Sequence, residues 1–342
     1  MKEVIIMNKK NITYMLIITI LLFSLLVGCK VNNDLDGNNG ESMDNTRTET
    51  ETIVENDEEK IMGDFKNIVE SDNEPFTLVK YVDENIDKVS TEYAVEMIRN
   101  LEEVQEKYIE RYTEQLFMEE NQMELLSLSE VNRSAIDGTE VNIEDLLFFD
   151  NSKVEEIKNG NLKELVDRII QGKFKLINME GAFYPIIDYE ALKIYNDYIA
   201  EDMKEYIDLK SMESNMPTIL DAAIMISYDE LAERLIKTEN YISKYPDNMR
   251  YEEILRIYGL YLKFYLEGSS NTPIYDYETK EIKVEIFSSY NKVKDMDETV
   301  TSKVISKYID IIEENQKIID ENVLSKVTEL YNEAIATLEE QQ

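Results

Sequence analysis

Histidine and tryptophan are absent from the 342 residues, cysteine occurs once, and proline and glycine number only 5 and 10. Without imidazole, Ser-His-Asp and Cys-His catalysis, HExxH zinc proteases and ordinary zinc or copper sites lack their base or ligand. The single cysteine is Cys29, so the chain can form no internal disulfide and has no thiolate pair for a metal. Basic residues are also scarce: 36 Lys and Arg against 72 Asp and Glu give a formal net charge of −36. Such a chain repels nucleic acid and anionic headgroups, which removes nucleic acid from the expected partners. Carboxylate chemistry, Ser-Lys chemistry and hard-cation binding stay open. The paucity of glycine also argues against the two-lobed βαβ architecture of a solute-binding protein.

What is present is apolar and aromatic. Hydrophobic residues make up 43% of the chain and tyrosine alone contributes 22, enough for a packed core despite the charge. The first apolar run spans Ile12 to Val27, preceded by Lys2, Lys9 and Lys10, which outweigh Glu3, and followed by Gly28 and Cys29. At about 16 residues it falls short of the roughly 20 that cross a bilayer comfortably. The junction Leu26-Val27-Gly28-Cys29 resembles the signal peptide and lipobox of bacterial lipoproteins. That resemblance implies cleavage after residue 28, a diacylglyceryl (palmitate-type) anchor on Cys29 and display on the extracytoplasmic face of the cell membrane. An uncleaved membrane anchor is the alternative, and it would leave the same region outside the same membrane.

Residues 29–60 are acidic and almost free of apolar side chains, which reads as a solvated tether. Asp34, Asp36, Asn38 and Gly40 lack the glycine and glutamate positions of an EF-hand loop, so no calcium site is assigned there. Residues 61–180 read as an N-terminal helical region. Ser90 caps a stripe through Tyr93, Met97, Leu101, Val104, Tyr108, Tyr112 and Leu116 that continues toward Leu126, predicting one long helix with Glu102, Glu103 and Glu106 on a solvated face. A short helix is expected over Val141 to Ile157, after a turn at Asp137-Gly138-Thr139, and another opening at Asn161 with Glu164 in capping-box spacing. A domain boundary is placed near Gly172 to Gly181.

Residues 181–342 read as a C-terminal helical region. Asp188 is expected to cap a helix through Leu192, Tyr195, Ile199, Met203 and Tyr206, and Pro217 to start a buried one over Ile219 to Ile226. Ser227 with Glu230 opens a third, the turn Tyr245-Pro246-Asp247-Asn248 ends it, and a fourth runs to Gly268. Helices are expected over Ile282 to Val293, Thr299 to Ile312 and Asn322 to Leu338, with a short strand at Ile282 to Ile286 as the competing reading. The unit carrying Ala232, Tyr245, Pro246, Asn248, Tyr258 and Tyr261 resembles a tetratricopeptide-type hairpin of bacterial envelope lipoproteins. The span from EGAFYPIIDYE through NTPIYDYETK also resembles an uncharacterised domain of Gram-positive surface lipoproteins, for which no activity is implied. The expected class is therefore all-α, an elongated array of antiparallel helix hairpins, tetratricopeptide-like in its C-terminal half.

Two segments rhyme, each with an Asp-Tyr-Glu centre. If they meet, Tyr184, Asp188, Tyr189, Tyr275, Asp276 and Tyr277 form an aromatic and carboxylate surface suited to a peptide, sugar or amine. The alternative is that the tyrosines are core and the aspartates are caps. Adjacent acids such as Asp188 with Glu190 carry no catalytic signal among 72 carboxylates, and Ser302-Lys303 lies on an amphipathic helix. Helical arrays work by offering surfaces to other proteins. The expected function is thus a lipid-anchored scaffold or binding protein engaging an envelope protein or polymer, without catalysis, cofactor or metal. A transporter's solute-binding lipoprotein and a carboxylate-dependent cell-wall hydrolase are the alternatives.

Overall fold

Helix-forming residues carrying apolar side chains every three or four positions dominate the chain, and a computed structural model describes the result for residues 48–129, 146–296 and 299–340, with side chains from 57 onward. The signal-peptide and lipobox residues, Cys29, the tether up to residue 47 and the Asp137-Gly138-Thr139 turn lie outside the described residues. Thr52–Gln342 make one compact unit. No described helix is long and apolar enough to cross a membrane.

The first helix among the described residues, α1 (Thr48–Glu70), covers the end of the segment read as tether. Ile61, Met62, Phe65 and Ile68 explain why: they dock on the core, and Tyr81 Oη donates to the Ile61 carbonyl at 3.0 Å. Helix α2 (Pro75–Asn85) opens with proline, whose missing N–H costs nothing in a first turn. Helix α3 (Thr91–Leu116) has the expected Ser90 cap and buries Ala94, Met97, Ile98, Leu101, Val104, Tyr108, Tyr112 and Leu116. It does not reach Leu126. Glu119 takes a positive φ of 50°, and Asn121 Nδ2 bonds the Gln115 carbonyl at 3.0 Å, closing α3 before α4 (Asn121–Leu128) begins.

Of the helix expected over Val141 to Ile157, residues 141–145 lie outside the described residues; Leu146 and Leu147 are helical, Phe148 then bridges Ile177, and a short 3-10 helix follows over Asn151–Glu156. Helix α5 (Gly160–Gln171) is capped by Asn159, two residues before the predicted cap, its Oδ1 accepting from Asn161 N and Leu162 N.

The segment after α5 is a β-hairpin in a chain read as all helix. Strands β1 (Phe174–Met179) and β2 (Ala182–Ile187) pair antiparallel around Glu180 and Gly181, both with positive φ, a type I′ turn. Asp188 N bonds the Lys173 carbonyl, so Pro185, three residues back and opposite Leu176, falls on a non-hydrogen-bonded pair and costs the ladder nothing. The Leu176 carbonyl then accepts from Phe149 N at 2.9 Å.

The helix expected from Asp188 is interrupted. Helix α6 (Tyr189–Leu192) passes into a 3-10 turn over Lys193–Tyr195, Asn196 and Tyr198 close tight turns, and α7 (Glu201–Asn215) starts afresh. Leu192, Tyr195, Ile199, Met203 and Tyr206 are nonetheless all buried. The predicted helix over Ile219 to Ile226 is a tight hairpin, β3 (Ile219–Leu220) and β4 (Ala223–Ile224), turning through Asp221 and Ala222 at positive φ.

From there the fold follows the pattern. Helix α8 (Tyr228–Lys244) is capped by Ser227, the turn closes with Asn248 N on the Tyr245 carbonyl, and α9 (Tyr251–Glu267) ends at Gly268. Ile282 joins a bridge to Tyr275 just before α10 (Val284–Lys294), so the strand and helix readings each describe part of that segment. Helix α11 (Val300–Glu314) carries a full Thr299–Ser302 capping box. The last predicted helix is divided into α12 (Glu321–Ser325) and α13 (Val327–Glu339). Helix α8 packs on α9, α10 on α11, and α13 on both α9 and α11. The fold is mostly helical, built from packed helix pairs around one hydrophobic core running from Met62 to Leu338.

Candidate functional site

The two rhyming loops are tied to different places, and among the described residues no hydrogen bond, ion pair or ring contact joins them. Tyr184 lies in β2, 8% exposed, its ring 5.2 Å from that of Phe117. Asp188 caps α6 through Ala191 N and pairs with Lys175 at 3.3 Å. Tyr189 is buried and donates to Glu102 Oε1 at 2.6 Å. In the other loop, Lys280 sits 4.6 Å from the Tyr275 ring centroid, and Asp276 Oδ1 accepts from Glu278 N and Thr279 N. Those backbone N–H groups hold the Asp276 carboxyl below its usual range. Tyr277 is 62% exposed and donates to the Ser270 carbonyl. The aspartates thus cap a helix and a turn, and of the four tyrosines only Tyr277 is exposed.

Tyr189 leads to a feature absent from the sequence reading. Glu102 does not lie on a solvated face: it is 1% exposed, and its Oε1 accepts from both Tyr189 and Tyr206 at 2.6 Å. Arg250 Nη2 bonds its other oxygen. Arg250 Nη1 reaches Glu253 at 3.2 Å, and Lys210 Nζ reaches Glu253 at 2.6 Å. The two cations also lie over aromatic faces, Arg250 4.5 Å from the Tyr206 centroid and Lys210 5.2 Å from that of Tyr189. This junction joins α3, α6, α7 and α9. Burial, with the carboxylates beside them, pushes the Tyr189 and Tyr206 hydroxyls well up. Burial would also raise the Glu253 carboxyl, but Lys210 and Arg250 bring it below its usual range. Glu106, one turn beyond Glu102, reaches solvent, yet the protein packed around it and the charge of Glu102 push its carboxyl up to about 7.

Two further junctions follow the same plan. Arg234 is 2% exposed and donates to Glu213, Glu230, the Met216 carbonyl and Thr218, while Tyr261 also donates to Glu213. Glu239 accepts from Val300 N at 2.5 Å and from Thr301 N and Oγ1 at 2.9 and 2.5 Å, so α8 supplies the carboxylate at the N-terminus of α11.

A cleft of about 280 Å³ opens beside Glu239, lined also by Ser243, Thr299, Lys303, Glu333 and Thr337. Its polar groups are largely committed: Thr299 caps Ser302, Thr337 bonds the Glu333 carbonyl and Glu333 pairs with Lys307. A second cleft, about 640 Å³, is lined by Met123, Glu124, Leu128, Lys158 and Asn159, and there Glu124 accepts from the backbone of Lys158 and Asn159. Among the described residues no cluster of three or more His, Cys, Asp or Glu side chains is arranged to hold a metal ion.

Sequence reasoning missed the Glu102 junction because its members are spread over more than 150 positions of an acidic chain. The signal was present in one place: Glu102 adjoins Leu101, on the border of the α3 apolar stripe, where a carboxylate has to be buried or turned aside. Compared with family models, with curated proteins and with solved structures, the chain matches none of them.

Proposed function

We propose that this protein is a lipid-anchored, extracytoplasmic helical scaffold that binds another envelope protein or polymer through its acidic outer faces. The observation that carries the scaffold reading is where the tyrosines are spent. Tyr112 donates to Glu74, Tyr195 to Asp83, Tyr189 and Tyr206 to Glu102, and Tyr261 to Glu213, each bond crossing from one element to another. Tyr258 with Thr301 and Tyr265 with Ser289 do the same further along. These bonds fix the helices against one another, and a preformed surface binds without the cost of ordering itself. The tetratricopeptide-like reading draws on α8 and α9, both 17 residues, with Ala232, Tyr258 and Tyr261 buried between helices. The clefts favour neither solute capture nor hydrolysis, since their polar groups are largely bonded within the protein.

Anchoring rests on Leu26-Val27-Gly28-Cys29. Cells fed a clickable palmitate analogue are expected to label the wild-type chain and retain it with membranes, while Cys29→Ser loses the label. Equal labelling of both chains removes the lipid anchor from the proposal. Binding is tested separately, by site-specific photo-crosslinkers at exposed Glu103 and Glu233 in living cells. One discrete partner, lost on competition with unlabelled protein, supports the scaffold; no adduct at either position counts against it.

A further inference from the structure

The turn between α3 and α4 leaves large apolar side chains in water. Phe117, Met118 and Met123 are exposed, three of the nine large hydrophobic residues that are so among the described residues, and they fall within seven positions. The local backbone accounts for them. Glu119 reverses the chain at positive φ, and α4 then spends its inner face on the fold. Asn121 closes α3, Gln122 bonds both backbone groups of Phe183 at 2.7 and 2.9 Å, and Leu125 enters the core. Glu120, Met123, Glu124 and Ser127, spaced three and four apart, are left on the other face.

That face lines the cleft of about 640 Å³, which Glu156, Lys158 and Asn159 complete from the chain leading into α5. Glu124 ties the two walls together, accepting from Lys158 N at 2.5 Å and Asn159 N at 3.3 Å, so the cleft is formed before anything enters it. Met123 and Leu128 give it apolar surface, and thioethers adapt to varied side chains. Its charge is one-sided: Glu119, Glu120, Glu124 and Glu156 against Lys158. Glu156 shares Lys153, whereas Glu119 and Glu120 have no ion-pair partner among the described residues.

We propose that this cleft docks a short basic amphipathic helix of a partner protein, with apolar side chains on Met123 and Leu128 and Lys or Arg against Glu119 and Glu120. The inference rests on the binding reading above and gives its partner a chemistry. Charge complementarity selects the occupant, because an acidic rim around apolar surface favours a segment that is cationic and apolar at once. A second copy of the chain brings a formal charge of −36, and the chain's own residues 130–145 carry Glu130, Asp137, Glu140, Glu144 and Asp145 against Arg133, so both are repelled. The α4 wall decides for a helix. Its backbone bonds are internal, so an extended segment finds no sheet edge there, whereas a helix arrives with its own backbone satisfied.

The test titrates the full chain, carrying ¹³C in its methionine methyl groups, with a synthetic peptide of about 14 residues that places Leu and Lys at helical spacing. The Met118 and Met123 signals are expected to shift and saturate while those of Met249 and Met296 stay. Glu119→Lys with Glu120→Lys should weaken binding roughly tenfold or more, and the same double reversal at exposed Asp310 and Glu314 of α11 should change it little. Unmoved Met118 and Met123 signals, or a scrambled peptide of equal composition that binds as well, overturn the site, since the acidic surface at large then gathers the cation. Shifts that follow protein concentration without peptide give the cleft to a second copy. Peptide affinity that rises roughly tenfold when residues 130–145 are replaced by a neutral linker gives it to the chain itself, and either result overturns the proposal. Crosslinked partners at Glu103 or Glu233 without peptide binding remove this site alone and leave the scaffold reading standing.

Discussion

Replacing Glu102 with alanine is expected to cost about 3–5 kcal/mol of folding stability, the range for breaking a buried ion pair from one side. The loss has several sources. Arg250 keeps its charge, with a side chain only 19% exposed, and retains Glu253 alone, which it shares with Lys210. Tyr189 and Tyr206 lose the acceptor that both use, and each buried hydroxyl without a partner carries its own desolvation penalty. Urea unfolding checks this: the midpoint should fall with the slope unchanged. Glu102→Gln, which keeps an acceptor oxygen, should lose less. A double-mutant cycle with Arg250→Ala should show strong coupling, because either single change strands the other partner. A loss below about 1 kcal/mol for Glu102→Ala would mean that water, not protein, balances these charges.

Gly268→Ala is the second change with a large expected effect, about 2–5 kcal/mol from backbone strain and overpacking together. Gly268 ends α9 with φ 75° and ψ −155°, a conformation essentially reserved for glycine. A Cβ there would lie 2.5 Å from the Thr272 carbonyl oxygen and 3.0 Å from Ile274 N, both backbone atoms that cannot rotate away. The damage would reach the Gly268–Pro273 bridge and the turn that places buried Ile274. Gly181→Ala is the informative comparison. Its φ of 78° is equally left-handed, but a methyl group there would meet nothing within 4 Å, so only about 1–2 kcal/mol of strain is expected. Thermal unfolding of the two variants side by side separates strain from collision, and equal losses would show that the collision is relieved elsewhere.

These two sites also show what was legible in the sequence. Gly268 could be read as a helix stop because helix ends have a local chemistry, as could Ser90 and Ser227 as caps. Apolar periodicity located the burial of Leu192, Tyr195, Ile199, Met203 and Tyr206 even where the helix joining them breaks. Periodicity reports which side chains are inside, and it reports backbone continuity only weakly. Both small hairpins were missed for a related reason. Their turns place Glu180, Asp221 and Ala222 at positive φ, whereas the local sequence signal for such turns is asparagine or glycine, which only Gly181 supplies. The rhyming loops were a likeness of sequence that the fold puts to separate uses. Tyr189 serves the core, while Asp276 shapes its own turn. The Glu102 junction depended on four elements meeting, and nothing short-range in the chain encodes that meeting.

The interhelical phenol-to-carboxylate bonds have an optical consequence. With no tryptophan and 22 tyrosines, the ultraviolet emission of this chain belongs to tyrosine alone. An excited phenol gives up its proton readily to a bonded carboxylate, and that transfer quenches its normal emission. Tyr112, Tyr189, Tyr195, Tyr206 and Tyr261 are therefore dark reporters while their partners stay in place. They brighten when the elements they join pull apart, whether or not the helices themselves melt. Emission thus follows the seams between helices and circular dichroism follows the helices, so the protein distinguishes the two without any added dye.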